Sequence, residues 1–441
     1  MKKILAALIV LFVAMFLIAP FFIGTAAEKQ IDKQIKNISR NSNVDVSNIY
    51  KKGWFTSTAE TTFDLSQVLN QYTGLNTNIS IGLKKIIVKT RSEIIHGPFP
   101  LKRLYSKQPV LKPVLSVTKN VTKIIFPPDV MDFTPTIITY ISVLPNGNGI
   151  GAFTIPKTEY KNIYEGNEIK IGEVNGEMSF SSDLQNHSLK FIAPKIFLKE
   201  KKKEIAINNF KFATENEKNK NANFKLSFDN IDIENVKISE GKFNGTTKLK
   251  NGLISFSADL NIKKWKSKNE KAGPIEFSLT GKNIKKSAYD QIAKLLKEYK
   301  NNSSQDKNNK IANVFLMTQI MALLPELLAE SPEIVLEKCN ITSSEGKSVI
   351  STAFKIDGSK INNANDIKQL IKAIIFDFSM TVPEKIAEKY KSDDENAKMF
   401  AVQKMMIKDG DNYKLNVLYK NAKLMINGKP FSFPDKQQNS N

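Results

Sequence analysis

The chain has 441 residues, 41% hydrophobic and 25% charged, an ordinary globular composition that excludes an intrinsically disordered protein. Its formal net charge is +21, almost all of it from lysine; arginine, the planar fork that reads phosphates and bases, occurs only at Arg40, Arg91 and Arg103. With Cys339 as the single cysteine, an intrachain disulfide and a cysteine-built metal cluster are both excluded.

No helix-turn-helix, zinc-finger spacing or aromatic RNA motif accompanies the charge, so nucleic acid is not expected as a partner. The lysine clusters Lys199 to Lys203 and Lys263 to Lys268 adjoin strand-like residues and read as solvated strand edges and turns, with attraction to anionic lipid headgroups as the second reading.

Taken from its start, the chain places Met1, Lys2 and Lys3 before an uncharged, overwhelmingly apolar run from Ile4 to Ile23. About 20 such residues cross a hydrocarbon core of roughly 30 Å. We therefore expect a signal-anchor transmembrane helix over residues 1–27. The flanking lysines keep its N-terminus inside, which puts the body across a bacterial inner membrane, in the periplasm. A cleaved secretory signal is the competing reading, with Thr25-Ala26-Ala27 as the cleavage region and Pro20 ending a shorter apolar stretch. Beyond it, Ile31, Ile35 and Ile38 recur at helical spacing and make residues 28–48 a juxtamembrane stem.

From residue 49 to 285 the dominant signal has period two. Ile79 to Leu83 and Ile86 to Ile95 alternate. So do Met178, Phe180 and Leu184; Phe224, Leu226 and Phe228; Ile254, Phe256, Ala258, Leu260 and Ile262; and Ile275, Phe277 and Leu279. Such alternation predicts antiparallel strands with one face on a core and one in water. Turns are expected at Pro145 to Gly149, Asn175-Gly176, Asn244-Gly245 and Asn251-Gly252, because Asn-Gly pairs suit two-residue hairpin turns. Another is expected at Gln185 to Ser188.

The texture changes over residues 286–332, which read as helical. Tyr289, Ile292, Leu295, Leu296 and Tyr299 recur at helical spacing, a polar linker runs from Asn301 to Lys310, and Ile311 to Leu328 is apolar around most of its circumference. Within it, Phe315, Leu316, Ile320, Leu323, Leu324 and Leu327 form a candidate apolar docking helix, the competing reading being plain core packing. Gln319, Pro325 and Glu326 speak against a second membrane span. Residues 333–433 form a mixed region: a hairpin around Ser344-Glu345-Gly346, a short helix at Ile367 to Ile374, a strand at Phe376 to Val382, a helix from about Pro383, and closing strands at Tyr413 to Tyr419 and Ala422 to Ile426. Residues 434–441 read as a disordered tail. The predicted fold is α+β and β-dominated: an N-terminal transmembrane helix, extended antiparallel sheets, and a helical insertion in the C-terminal third.

His96-Gly97-Pro98-Phe99-Pro100 resembles the HGPFP stretch of the YdgA-like family, a bacterial family of unknown function. Tyr50 to Phe55 resembles its early tyrosine-glycine-aromatic segment, and Tyr413, Tyr419 and Asn427 to Pro430 its closing hairpin. At Lys420-Asn421-Ala422 the chain departs from the expected asparagine-glycine, which questions the tightness of that turn. The resemblance implies an envelope protein held in the inner membrane, and it brings no catalytic residues. Physically, His96 to Pro100 is a candidate structural motif that ends a strand, with Gly97 permitting unusual backbone and the two prolines removing donors.

Motifs of chemistry are missing. There is no phosphate-binding glycine loop, no HExxH, no GxSxG and no EF-hand loop, and His96 and His187 are the only histidines. No catalytic residue, metal site or cofactor is therefore assigned. The expectation is a non-enzymatic protein that binds an apolar envelope ligand such as lipid; the alternative is a scaffold or assembly factor holding envelope proteins, with a hydrolase as a third reading. An open apolar face running over many strands favours the carrier, and closed sandwiches with filled cores favour the scaffold.

Overall fold

Period-two segments pair with their neighbours in the computed structural model, and every registered pair of strands is antiparallel. The structure describes residues 44–66, 86–96, 114–126, 134–162, 167–183, 185–200, 203–218, 220–267, 270–302, 310–361, 366–389 and 405–431, with isolated residues between 25 and 39. The chain divides into two units, Met1–Glu217 and Lys218–Asn441.

The first unit is a sheet of strands β1 (Asp45–Lys51), β2 (Thr56–Asp64), β3 (Ile87–His96), β4 (Ser116–Ile125), β5 (Thr136–Val143) and β6 (Gly149–Ile155), each paired with the next. β7 (Thr158–Asn162) and β8 (Asn167–Ile171) form a hairpin, while β6 goes on to pair with β9 (Val174–Phe180). The long β10 (His187–Glu200) takes β9 along its first half and β8 along its second, and β11 (Lys203–Asn216) follows it.

In the second unit a meander runs through β12 (Asn221–Ile233), β13 (Val236–Lys250), β14 (Leu253–Lys266), β15 (Lys271–Lys285), β16 (Glu333–Ser343), β17 (Gly346–Ile356) and β18 (Ile374–Pro383). β18 pairs with β20 (Asn412–Lys420), whose other edge takes β19 (Ile407–Asp409) and β21 (Lys423–Ile426); β21 ends on β22 (Lys429–Pro430). Helices α1 (Lys286–Asn302) and α2 (Lys310–Leu328) interrupt the meander after β15; α3 (Ile367–Ala373) precedes β18 and α4 (Glu384–Lys389) follows it. The Asp366 carboxylate caps α3 by accepting from the Lys368 and Gln369 amides.

Turn chemistry explains several connections. Asn251 and Gly252, at φ of 53° and 76°, link β13 to β14 in two residues, as do Asn427 and Gly428 (49° and 77°) between β21 and β22. Asn421 and Ala422 take the same positive values, 54° and 59°, so the questioned turn is as tight as an Asn-Gly turn although alanine occupies it.

Two expected turns are corrected. Asn175-Gly176 lies inside β9 and Asn244-Gly245 inside β13. Gly176 faces Phe153 across the ladder, and a Cβ there would collide with the Phe153 ring. The same device recurs at Phe180–Gly149, Phe228–Gly241 and Phe256–Gly281. These glycines make room for a cross-strand aromatic ring, a requirement that overrides their local preference for turns. His187 likewise opens β10 rather than sitting in a turn.

The transmembrane helix is the larger correction. Among the described residues no helix is long and apolar enough to cross a membrane. The longest, α2, has 19 residues but contains Pro325 and Glu326; α1 is rich in lysine. The Ile4 to Ile23 run lies outside the described residues. The transmembrane part of the fold class, and with it the single-pass inner-membrane, periplasmic assignment, is not supported by any described helix and is withdrawn. What stands is a β-dominated antiparallel protein with few helices. Of the expected stem, Glu28, Asp32, Ile35, Lys36 and Ser39 are helical.

Two substitutions test this account. Gly281→Val places a branched side chain where the Phe256 ring lies, and should lower unfolding stability by about 1–3 kcal/mol in urea denaturation. Ala422→Gly relieves a left-handed alanine and should raise stability by about 0.5–1 kcal/mol. Opposite signs in either case would refute the backbone assignment.

Candidate functional site

Directly opposed residues in neighbouring strands share one face, so the register converts alternation along each strand into rows across the sheet. In the second unit one such row runs Leu226, Phe243, Leu260, Phe277, Cys339, Ile350, Met380, Leu415 over eight strands. The next row on the same face reads Phe224, Gly245, Ala258, Leu279, Leu336, Thr352, Phe378, Val417, Ile426. One step along the strands, on the opposite face, the row is Ser227, Lys242, Asn261, Glu276, Asn340, Val349, Thr381, Lys414. Polar pairs tie that face together: Asn340 Nδ2 donates to Glu276 at 2.9 Å, and Ser278 Oγ to Asp259 at 2.7 Å.

The apolar face is not sealed. Most of its side chains are half-buried, and Phe354, Ile334 and Ile341 are 43%, 44% and 41% exposed. Leu415 is its best-buried large residue, and among the described residues no side chain larger than serine is completely removed from solvent. Edge-to-face contact of Phe224 with Phe243, with centroids 5.5 Å apart, stiffens the surface without covering it. Among the described residues these apolar rows thus remain partly open to solvent.

The apolar phase shifts at one line across the sheet. Glu240 has a φ of 53°, and beyond it the apolar partners become Ile231, Ile238 and Trp265, one residue out of step with Phe228, Gly241 and Ile262. Asn209, at 52°, separates Ile205 and Ile207 from Phe210 and Phe212 in the same way. In both places a left-handed residue stands where the alternation changes parity, while the pairing register runs on unchanged.

Helix α2 packs against α1 and β15. Leu316, Ile320, Leu323, Leu324 and Leu327 are half-buried, and Phe315 lies within the same helix. The exposed positions are instead Met317 (63%), Met321 (49%), Thr318, Ala322 and Pro325, none of them charged. Ser287 and Glu326 hydrogen bond between the helices, and Lys285 reaches Glu330 at 3.1 Å.

His96 ends β3 and is buried, while Gly97, Pro98, Phe99 and Pro100 lie outside the described residues. Its Nε2 is 2.7 Å from Ser57 Oγ, which also accepts from the Gly53 amide at 3.3 Å and is hydrogen bonded to Tyr50. Burial pushes the imidazole below its ordinary value of 6.5. Burial also raises the Tyr50 phenol, opposed by the Ser57 hydrogen bond and assisted by the charge of Glu28. A serine beside a histidine suggests nucleophilic catalysis, but two features oppose it. Ser57 is 1% exposed, and His96 Nδ1 is buried without a hydrogen-bond partner, so among the described residues no carboxylate orients the ring. The hydrogen bonds of Ser57 to His96, to the Gly53 amide and to Tyr50 tie β1, β2 and β3 together. Sequence reasoning found His96 but not Ser57, which stands 39 residues away.

A family model described as a bacterial protein of unknown function (DUF945) matches residues 1–434. No curated protein matches the chain, and no solved structure does.

The buried histidine gives a pH prediction. Because its folded pKa is depressed, the unfolded chain binds the proton more readily; stability is complete above about pH 6.5 and falls as pH drops through the folded value. His96→Gln should flatten this part of the acid-side decline in urea midpoints measured between neutral and mildly acidic pH. An undiminished decline would remove His96 as its source.

Proposed function

We propose that this chain, which belongs to the DUF945 family of bacterial proteins of unknown function, is a non-enzymatic binding protein for a ligand with long acyl chains. The ligand lies on the open face of the second unit's sheet. The observation that carries the reading is the in-register apolar row from Leu226 to Leu415, half-buried as far as Met380, buried at Leu415 and backed by a polar face. Soluble proteins rarely leave a contiguous apolar surface of this kind to water unless it is used. An acyl chain has no directional polar requirement, so a surface of Phe, Leu, Ile and Met rows suffices to hold it. The lysine-rich surface, with net charge +21, adds complementarity to an anionic headgroup. Nothing in the reading needs a reacting group: the Ser57–His96 pair is shut away from substrate.

The test is native mass spectrometry of purified protein together with titration of a fluorescent fatty acid. Bound acyl lipid and saturable probe binding are expected. Phe354→Lys, at a position already 43% exposed, should leave the fold intact and weaken the probe at least about tenfold. Lys414→Gln on the opposite face should leave binding unchanged. Protein that carries no lipid and shows no saturable binding would end this reading.

A further inference from the structure

We propose that the α1–α2 hairpin is a docking surface for an anionic lipid bilayer. The inference is independent of the ligand on the sheet face and goes beyond it. A helix facing water normally carries charge on its outer face; α2 does the reverse. Its exposed large apolar side chains, Met317 and Met321, stand one turn apart, and the sequence from Ile311 to Pro325 contains no charged residue. On α1, Tyr289 and Leu296 are 53% and 48% exposed. Over α1 and the first residue of α2, the sequence holds five lysines against two acidic residues.

A basic segment joined to an uncharged helix with exposed methionines, beside an exposed tyrosine, is the chemistry of attachment at a lipid–water interface. The apolar side chains enter the headgroup boundary, lysines meet anionic headgroups, and tyrosine sits at the junction. Electrostatic complementarity selects this occupant over a neutral protein surface. Attachment of this sort lies along a surface and needs no helix that crosses a bilayer. The hairpin also packs on β15, the strand that carries Phe277 and Leu279 of the apolar rows.

The experiment uses the full chain and vesicles of phosphatidylcholine with or without phosphatidylglycerol, read by co-sedimentation. Wild type should bind the anionic vesicles, weakly bind the neutral ones, and release as salt rises. The double variant Met317→Glu, Met321→Glu alters two exposed positions, so its melting temperature should not change. It should lose about tenfold or more in vesicle binding, with fatty-acid probe binding retained. Equal co-sedimentation of variant and wild type would overturn the proposal, and so would indifference of wild type to phosphatidylglycerol. Loss of probe binding in the variant would assign the methionines to the ligand face instead. Loss of a dimer in sedimentation velocity would assign them to self-association. If vesicle docking follows the expected pattern while no form of the protein binds the probe, this surface stands and the acyl-ligand function falls.

Discussion

Antiparallel pairing in register is the constraint on which the second unit depends. A strand presents alternate residues to opposite sides, and the pairing decides which neighbour each meets. Leu226, Leu260 and Ile350 are far apart in sequence, yet each falls in one row because the pairing carries that row across every intervening strand. A slip of one residue at any strand would set lysines such as Lys242 or Lys414 among phenylalanines. The bulges between Ser278 and Leu279 and between Leu336 and Cys339 therefore matter: they absorb a residue while keeping the apolar set together. At Leu336 to Cys339 the extra length is taken by Glu337 and Lys338, both exposed.

The alternation itself was legible in the sequence, and so were the hairpin at Ser344-Glu345 and the helices around Leu295 and Leu324. What was not legible has physical causes. Asn175-Gly176 and Asn244-Gly245 look like turns because local preference favours positive φ there. At Gly176 the need for a Cβ-free position beneath the Phe153 ring is a long-range condition that a single strand does not display; at Gly245 a Cβ would meet only ordinary contacts, and no such need explains it. The phase shifts at Asn209 and Glu240 are hidden for a related reason. Glutamate is an unusual residue at positive φ, so nothing at position 240 announces an interruption. The buried Ser57–His96 contact was half visible: His96 stood out, whereas Ser57 and Tyr50 are ordinary strand residues until pairing of β1, β2 and β3 brings them to it.

The two units place chemistry on their faces differently. In the first, the strands near the N-terminus present small polar residues: Thr61 donates to Asn48 at 2.9 Å, and the Thr90 and Thr122 hydroxyls are 3.0 Å apart. Farther along, Phe153, Phe191 and Phe212 pack together, the last pair stacked with centroids 5.1 Å apart. Hydroxyl ladders satisfy themselves and ask for no ligand. Aromatic clusters in the first unit consume part of their own apolar surface by stacking, and this reduces what remains for anything else.

In the second unit the rows are mostly aliphatic and phenyl side chains spread one per strand, so they shield one another only laterally. Each buried square ångström of such surface is worth roughly 25 cal/mol, and lateral contact recovers only a fraction of it. A conventional fold recovers the rest by laying a second sheet or a helix across the face. Here α1 and α2 reach only β15 at the level of regular packing, and exposed Phe354, Ile334 and Ile341 show that the remainder is unclaimed by the described residues. The parity change beside Glu240 ends these rows, because beyond it the apolar partners Ile231, Ile238 and Trp265 no longer share the parity of Phe228, Gly241 and Ile262.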